Sequence, residues 1–310
     1  MNPEFRAANE CLSKDGDSMG ERIAWIIDST SNIDPEFARA NDVHIVYLSV
    51  VFGEKAYREN LDIGEEEFLR RLREERVLPT TTQPTIGEFV ELYTRLKASY
   101  DLGIAVHISS GLSGTWATSV KAAEMVGFPL YAVDSKMTVH PMVWILEEGM
   151  RLHRAGKPVE VVVRWMNEVA SRLRALFVVD DISHLHRGGR LTRAEYIVGS
   201  LLRIKPIITF EDGKLVPFDK ERTFARAKAR VFAELDRALA DVDFARVGVI
   251  HCAMAEEASR WVEDLRGRYG DKVELVLRTF PPVIAAHVGP GTVGFGWYTL
   301  SAAERAGEIG

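Results

Sequence analysis

The sequence predicts an α/β fold in two parts. The first is a mainly parallel sheet with helices on both faces; the second is an α/β unit with a partly antiparallel sheet. Two observations carry this. From residue 23 to about 159, short apolar runs alternate with amphipathic segments, the pattern of strands joined by crossover helices. Further on, Glu211-Asp212-Gly213 separates two strand-like runs, a hairpin signal in which the glycine supplies positive φ. The 310 residues suffice for a large core, and a composition 46% hydrophobic and 27% charged is ordinary for a soluble globular chain.

The elements follow in order. Residues 1–20 are polar, lack the apolar stretch of a signal peptide, and are expected to form a disordered leader, with Met19 as a natural start. Ile23-Ala24-Trp25-Ile26-Ile27 reads as a buried strand. Asp34 and Pro35 supply an N-cap and a first-turn proline for a helix through Ala40. Residues 43–52 read as one strand and 65–75 as a strongly charged amphipathic helix. Thr85 and Glu88 form a capping box for a helix over 89–100. A strand over 102–108, a helix over 116–126, a strand over 130–133 and an apolar helix over 142–155 complete a first domain, residues 21–158. Gly156-Lys157-Pro158 marks the boundary. The second domain, 159–310, is read as a helix over 159–173, a strand over 176–180, a hairpin over 204–217 and a helix over 223–239. A strand over 247–252, a helix over 255–268 and a strand over 273–279 follow.

Charge and cysteine usage exclude several classes. A net charge of −6 offers no basic field for nucleic acid, and no apolar run reaches the length of a membrane span, roughly 18 residues. Two cysteines, Cys11 and Cys252, make no disulfide framework and fit a reducing, cytoplasmic compartment. His184 and His186 lack metal-ligand spacing, and Arg187 and Arg190 beside them would repel a cation, so no metal or other cofactor is expected. Gly289-Pro290-Gly291-Thr292-Val293-Gly294 matches a dinucleotide-binding pattern, yet fewer than 20 residues follow it and no βαβ unit can form.

The chemistry gathers in three hydroxyl-rich loops: Asp28-Ser29-Thr30-Ser31-Asn32, Thr80-Thr81-Thr82-Gln83-Pro84-Thr85, and Ser109-Ser110-Gly111-Leu112-Ser113-Gly114-Thr115. Each precedes a helix, where backbone N–H groups and hydroxyls can meet an anion. The third loop carries no Lys or Arg, which favours a singly charged carboxylate over a polyphosphate. Helix capping alone would use some of these hydroxyls, as at Thr85, but does not require runs of three. A serine hydrolase built from Asp28, a loop serine and His287 is the competing reading, although no G-x-S-x-G surrounds Ser113. Apolar stretches at 142–146 and 198–202 suit either ordinary core or the wall of an apolar tunnel.

Eight blocks in order resemble the DegV family of bacterial lipid-binding proteins, over roughly residues 23–299. They are Ile27-Asp28-Ser29-Thr30, Thr81 to Thr85, Ile108 to Thr115, Val133-Asp134-Ser135, Arg187-Gly188-Gly189-Arg190, Ile204-Lys205-Pro206-Ile207, Lys220-Glu221-Arg222-Thr223 and His287-Val288-Gly289-Pro290-Gly291. The resemblance implies a two-domain protein holding one long-chain fatty acid at the domain interface. It also implies a separate fatty-acid kinase as protein partner, which would phosphorylate the bound carboxyl group to give an acyl-phosphate for phospholipid synthesis, the chain itself being a non-catalytic carrier. By motif, the carboxylate would meet Thr81, Thr82, Ser109, Ser110 and His287. Asp28, Ser29, Thr30, Ser113, Gly114 and Thr115 would form a supporting loop, and Arg187, Arg190 and Arg222 would contact the kinase or the phosphate. A carrier of another amphiphilic lipid is the nearest alternative. Thr82 and Thr85 stand where the family usually has serine, Trp116 where it commonly has tyrosine, and His140-Pro141-Met142 replaces smaller residues.

Overall fold

The computed structural model of the chain describes residues 21–75, 78–191 and 204–308. The expected leader, 1–20, and the apolar stretch at 198–202 lie outside the described residues.

The apolar run after Arg22 forms β1 (Ile23–Asp28), buried along its whole length. Helix α1 (Pro35–Ala40) starts as its N-terminal residues dictate: the Asp34 carboxyl accepts from the N–H groups of Glu36 and Phe37. The single strand expected over 43–52 is two, β2 (Val43–Val46) and β3 (Ser49–Phe52), which lie in different sheets. Strand β4 (Lys55–Arg58) and helix α2 (Glu65–Glu74) follow, and Thr80–Thr82, expected as loop, forms β5. These strands make a small antiparallel sheet in the order β4-β3-β5. Helix α3 (Ile86–Lys97) opens with the expected capping box, Thr85 and Glu88 bonding reciprocally.

Strand β6 (Leu102–His107), helix α4 (Thr115–Val126), strand β7 (Leu130–Asp134) and helix α5 (Pro141–Arg154) complete the first half. Its main sheet has the order β2-β1-β6-β7 and is parallel throughout. Alternation along β1 sends Ala24 and Ile26 to one face, where α3 and α4 cover them with Phe89, Tyr93 and Ala122. Trp25 and Ile27 face the other way, toward α5 and helix α6 (Val159–Arg172).

The second half runs β8 (Arg174–Val178), α7 (Ser183–Arg187), β9 (Lys205–Glu211), β10 (Lys214–Glu221), α8 (Phe224–Ala238) and β11 (Phe244–Cys252). Helix α9 (Ala255–Tyr269), β12 (Val273–Thr279), α10 (Pro282–Val288), β13 (Thr292–Leu300) and α11 (Ala302–Ala306) follow. Its six strands are ordered β10-β9-β8-β13-β11-β12, with only the β11–β12 pair parallel. On the outer face, α8 and α9 bury Trp261 against Phe232 and Phe295. The inner face, with Phe177, Ile208, Ile250 and Tyr298, joins the Trp25 face of the first half in one continuous core. Two sheets therefore look at each other across shared apolar material, which puts any opening between them in an apolar setting.

Candidate functional site

Between the sheets lies a cleft of about 530 Å³, within the range of about 300–1,000 Å³ usual for small-molecule sites. Its deep wall is apolar and drawn from both halves: Leu48 and Ile108 on one side, Phe177, Ile208, Phe210 and Leu215 on the other, with Phe280, Val283, Ile284 and Val288 from α10 and the turn before it. Phe177 makes ring contacts with both Phe210 and Phe280, so three aromatic rings form one wall. The mouth is polar, with Thr81, Thr82, Gln83, Ser110, Ser113 and His287.

Pairing between β3 and β5 places Thr81 opposite Val50 and Thr82 opposite Ser49. The Thr81 hydroxyl lies 2.9 Å from His287 Nε2, although the two residues are 206 positions apart. Burial pushes the His287 imidazole down to about 4, helped by the nearby Arg190 charge, so the ring is neutral near pH 7. Gly188 must lack a side chain here, because a Cβ would collide with His287 Nδ1. In the neutral ring one nitrogen donates and one accepts. If Nε2 carries the proton it donates to Thr81 Oγ1, which leaves the Thr81 hydroxyl proton free to turn into the cleft. The Thr82 hydroxyl has no protein partner among the described residues.

The 109–115 loop behaves differently from its expected role as a ring of free donors. The Ser109 N–H donates to Met137 O, those of Leu112 and Ser113 to Ser109 O, and those of Gly111 and Thr115 to the hydroxyls of Ser109 and Ser113. Ser110 gives both its N–H and its hydroxyl to Asp134, at 3.1 and 2.5 Å. Ser109 is buried and points away from the cleft, its hydroxyl donating to Gly213 O at 2.7 Å. Ser113 and Thr115 bond each other through their hydroxyls, and Gly114 sits against the Gln83 amide. Most of this loop's polar capacity is thus spent on holding the loop.

The Asp28 loop is fully internal. The Asp28 carboxyl accepts from Ile108 N–H at 2.7 Å and from the Thr30 N–H and hydroxyl, and His107 Nδ1 lies 3.3 Å away. Ser119 Oγ is 2.8 Å from His107 Nε2, so Ser119, His107 and Asp28 stand in the order of a hydrolytic triad. All three are completely buried, Ser119 on the inner face of α4, where no ester can reach the serine. Among the described residues Asp28 and His287 share no hydrogen bond, so the hydrolase constellation of Asp28, a loop serine and His287 is not assembled. Ser29 instead donates to the buried Glu59 carboxyl at 2.7 Å.

Of the three arginines, only Arg190 lines the cleft. It donates to Leu112 O and Gly188 O, tying the glycine turn to the hydroxyl loop. Arg187 reaches Ser183, and Arg222 is exposed between β10 and α8. Among the described residues no cluster of three metal-ligating side chains occurs, and no helix is long and apolar enough to cross a membrane.

The chain that builds this cleft matches a known family over most of its length. The model described as "uncharacterised protein, DegV family" matches residues 22–300. The chain belongs to the DegV family. It is 39% identical over 279 residues to a DegV domain-containing protein of Halalkalibacterium halodurans, covering 89% of this chain and 98% of that one. Protein DegV of Bacillus subtilis is 37% identical over 277 residues, covering 89% and 98%. Among solved structures, the crystal structure of DegV, a fatty acid binding protein from Bacillus subtilis, superposes with a TM-score of 0.84 at 36% identity, covering 90% of this chain and all (100%) of that one. A fatty-acid-binding DegV family protein from Thermus thermophilus gives the same TM-score, 0.84, at 26% identity, with 90% and 100% covered. The DegV fold, a parallel sheet facing a mixed sheet, is thus the fold of this chain.

Sequence reasoning did not single out Gln83, Thr138, Phe177, Phe210 or the α10 residues as cleft lining. Pro281-Pro282 before an apolar run was a helix-start signal for α10 that could have been used.

Proposed function

We propose that this DegV family chain binds one long-chain fatty acid between its domains, 21–158 and 159–310. Its carboxylate meets Thr81, Thr82 and His287, and its tail lies along the aromatic wall. The observation that carries this is the cleft itself: an apolar wall that ends in the Thr81–His287 pair, with no carboxylate among the described residues that line it. A C16 tail offers roughly 10 kcal/mol gross at about 0.8 kcal/mol per buried CH₂, before ordering costs. The tail therefore supplies affinity. The hydroxyls supply the donors without which a carboxylate would not leave water. Ser110, Ser113 and Gly114 border the mouth, whereas Ser109, Ser29, Thr30, Asp28 and Thr115 act behind it as scaffold.

The chain is a carrier, and a separate fatty-acid kinase takes its ligand. That step rests on the family resemblance, which carries Arg187, Arg190 and Arg222 as contacts for the kinase or the phosphate, and on Arg190 lining the cleft. The kinase transfers the terminal phosphoryl group of a nucleoside triphosphate to the bound carboxylate oxygen, releasing the nucleoside diphosphate and giving an acyl-phosphate for phospholipid synthesis. Neutral donors suit this, because hydroxyls hold a carboxylate without neutralising its attack. The test is to denature the purified protein, extract it with organic solvent and weigh the extract by mass spectrometry. About one fatty acid per chain is expected, lost or strongly depleted in Thr81→Val/Thr82→Val. An empty extract from folded protein, or a different amphiphile, refutes the assignment.

A further inference from the structure

The β9–β10 hairpin forms the edge of the six-stranded sheet, and its turn reaches across to the other half of the molecule. Asp212 and Gly213 both have positive φ, +47° and +77°, the signature of a two-residue hairpin turn. This turn sits on the 109–111 loop with no slack. Ser109 Oγ–H donates to Gly213 O at 2.7 Å, and a Cβ on Gly111 would lie 2.6 Å from the same oxygen. A Cβ on Gly213 would collide with Ser109 Oγ. Three small residues from the two halves thus form one interlocked contact.

Three further features bear on what this contact does. The hairpin carries Ile208, Phe210 and Leu215, which line the cleft, so its position sets one wall of the cleft. The β10 register breaks between Pro217 and Asp219, a local weak point beyond which the hairpin can bend. Behind the turn lies a recess of about 510 Å³, bordered by Lys136, Arg174 and residues 211–213, so the turn can lift without displacing core.

We infer that the β9–β10 turn is a gate over the cleft, held shut by the Ser109–Gly213 contact, and that its opening sets how long an acyl ligand stays. Ser109 then acts on the ligand through the hairpin rather than by touching it. The inference deepens the fatty-acid reading and rests on it for the nature of the ligand, but the gate itself can be tested without any ligand.

The experiment has two arms on the full chain. In the first, delipidated protein is loaded with cis-parinaric acid, and its release to excess serum albumin is followed by fluorescence for wild type, Ser109→Ala and Gly213→Ala. Loss of one buried hydrogen bond should speed release about fivefold, the factor equivalent to about 1 kcal/mol, and Gly213→Ala should do at least as much. Equal release rates from folded variants overturn the inference. In the second, hydrogen exchange of amides 211–214 is measured in ligand-free wild type. A gate requires these amides to exchange through a local opening, well below the free energy of global unfolding. Exchange only through global unfolding overturns the inference even if the variants fail to fold. Wild type that takes up no cis-parinaric acid counts against the fatty-acid reading and leaves the exchange arm to decide the gate.

Discussion

Replacing Glu59 by glutamine should make the protein progressively more stable than wild type as pH rises. Glu59 follows β4 and is completely buried. Its carboxyl accepts from the Ser29 hydroxyl at 2.7 Å and from the Val283 N–H at 2.9 Å, and among the described residues no cation pairs with it. Burial pushes this carboxyl up to about 8, from 4.5 for a free glutamate, with the Asp28 charge adding to the effect. The folded state therefore keeps a proton that the unfolded chain releases above 4.5. Wild-type stability should fall as pH rises from 4.5 through 8 and then level off. At about 1.4 kcal/mol per unit, the whole window is worth about 5 kcal/mol, and the part between pH 6 and pH 9 about 3 kcal/mol. Glutamine is uncharged like the protonated acid, keeps its shape and does not titrate. How well the amide fits sets a constant offset between the two proteins, but not the slope. Urea unfolding of both at pH 6, 7, 8 and 9 gives the difference directly, since every other titrating group cancels. An advantage for Glu59→Gln that grows by about 3 kcal/mol over this range is expected. Parallel profiles would refute the assignment of a proton to the folded carboxyl.

Two further outcomes follow from single contacts. In Gly114→Ala, the new Cβ lies 2.5 Å from Gln83 Oε1, so the flexible Gln83 must move off Thr118, its partner at 2.7 Å. Thermal unfolding should change by about 1 kcal/mol or less, while extracted lipid per chain falls because Gln83 borders the mouth; unchanged lipid content would show that Gln83 is not part of it. Trp261→Ala removes a fully buried ring packed on Phe232 and Phe295, far from the cleft. It should cost about 3–5 kcal/mol in denaturant unfolding, and a loss under 1 kcal/mol would mean that the α8–α9 layer is not a tight core.

Where local signals were strong, the sequence was readable. Asp34-Pro35 and Thr85-x-x-Glu88 start helices in the structure because both carry their own capping chemistry. The strand over 273–279 has the expected bounds, and its neighbours differ by a few residues. Legibility failed where an element depends on distant partners. Residues 43–52 are one apolar run with no turn residue, yet the chain changes sheets at Tyr47-Leu48, and only the pairing of β3 with β4 and β5 shows it. Thr80–Thr82 is a strand only because β3 is beside it. The G-x-G-x-x-G run at 289–294 leads into β13, whose Gly294 and Gly296 are placed where a Cβ would strike Leu176 O and Pro141. The same limit applies to the site. The order of blocks named loops whose residues 81–83 and 110–114 line the cleft, but nothing in their spacing could say which hydroxyl faced the cleft and which was already bonded.

That distinction decides where a carboxylate can be held. A hydroxyl has one proton to give, and in this protein most of the loop hydroxyls have given it. Ser29 donates to Glu59, Thr30 to Asp28, Ser31 to the Asp28 carbonyl, Ser109 to Gly213 and Ser110 to Asp134. Ser110 would have to break its bond to Asp134, and bring an anion close to that acidic side chain, before it could serve a carboxylate. Thr82 has no such prior engagement, and Thr81 is released from one when His287 Nε2 carries the proton. The low affinity of His287 for a second proton keeps one ring nitrogen free of hydrogen near pH 7, and the contact with Thr81 forms with either tautomer. A bound carboxylate favours the tautomer with hydrogen on Nε2, because only that form frees the Thr81 proton. The head group should therefore settle on the β5 edge of the mouth and not in the 109–110 loop. Removing the Thr81 hydroxyl should weaken its binding more than removing that of Ser110.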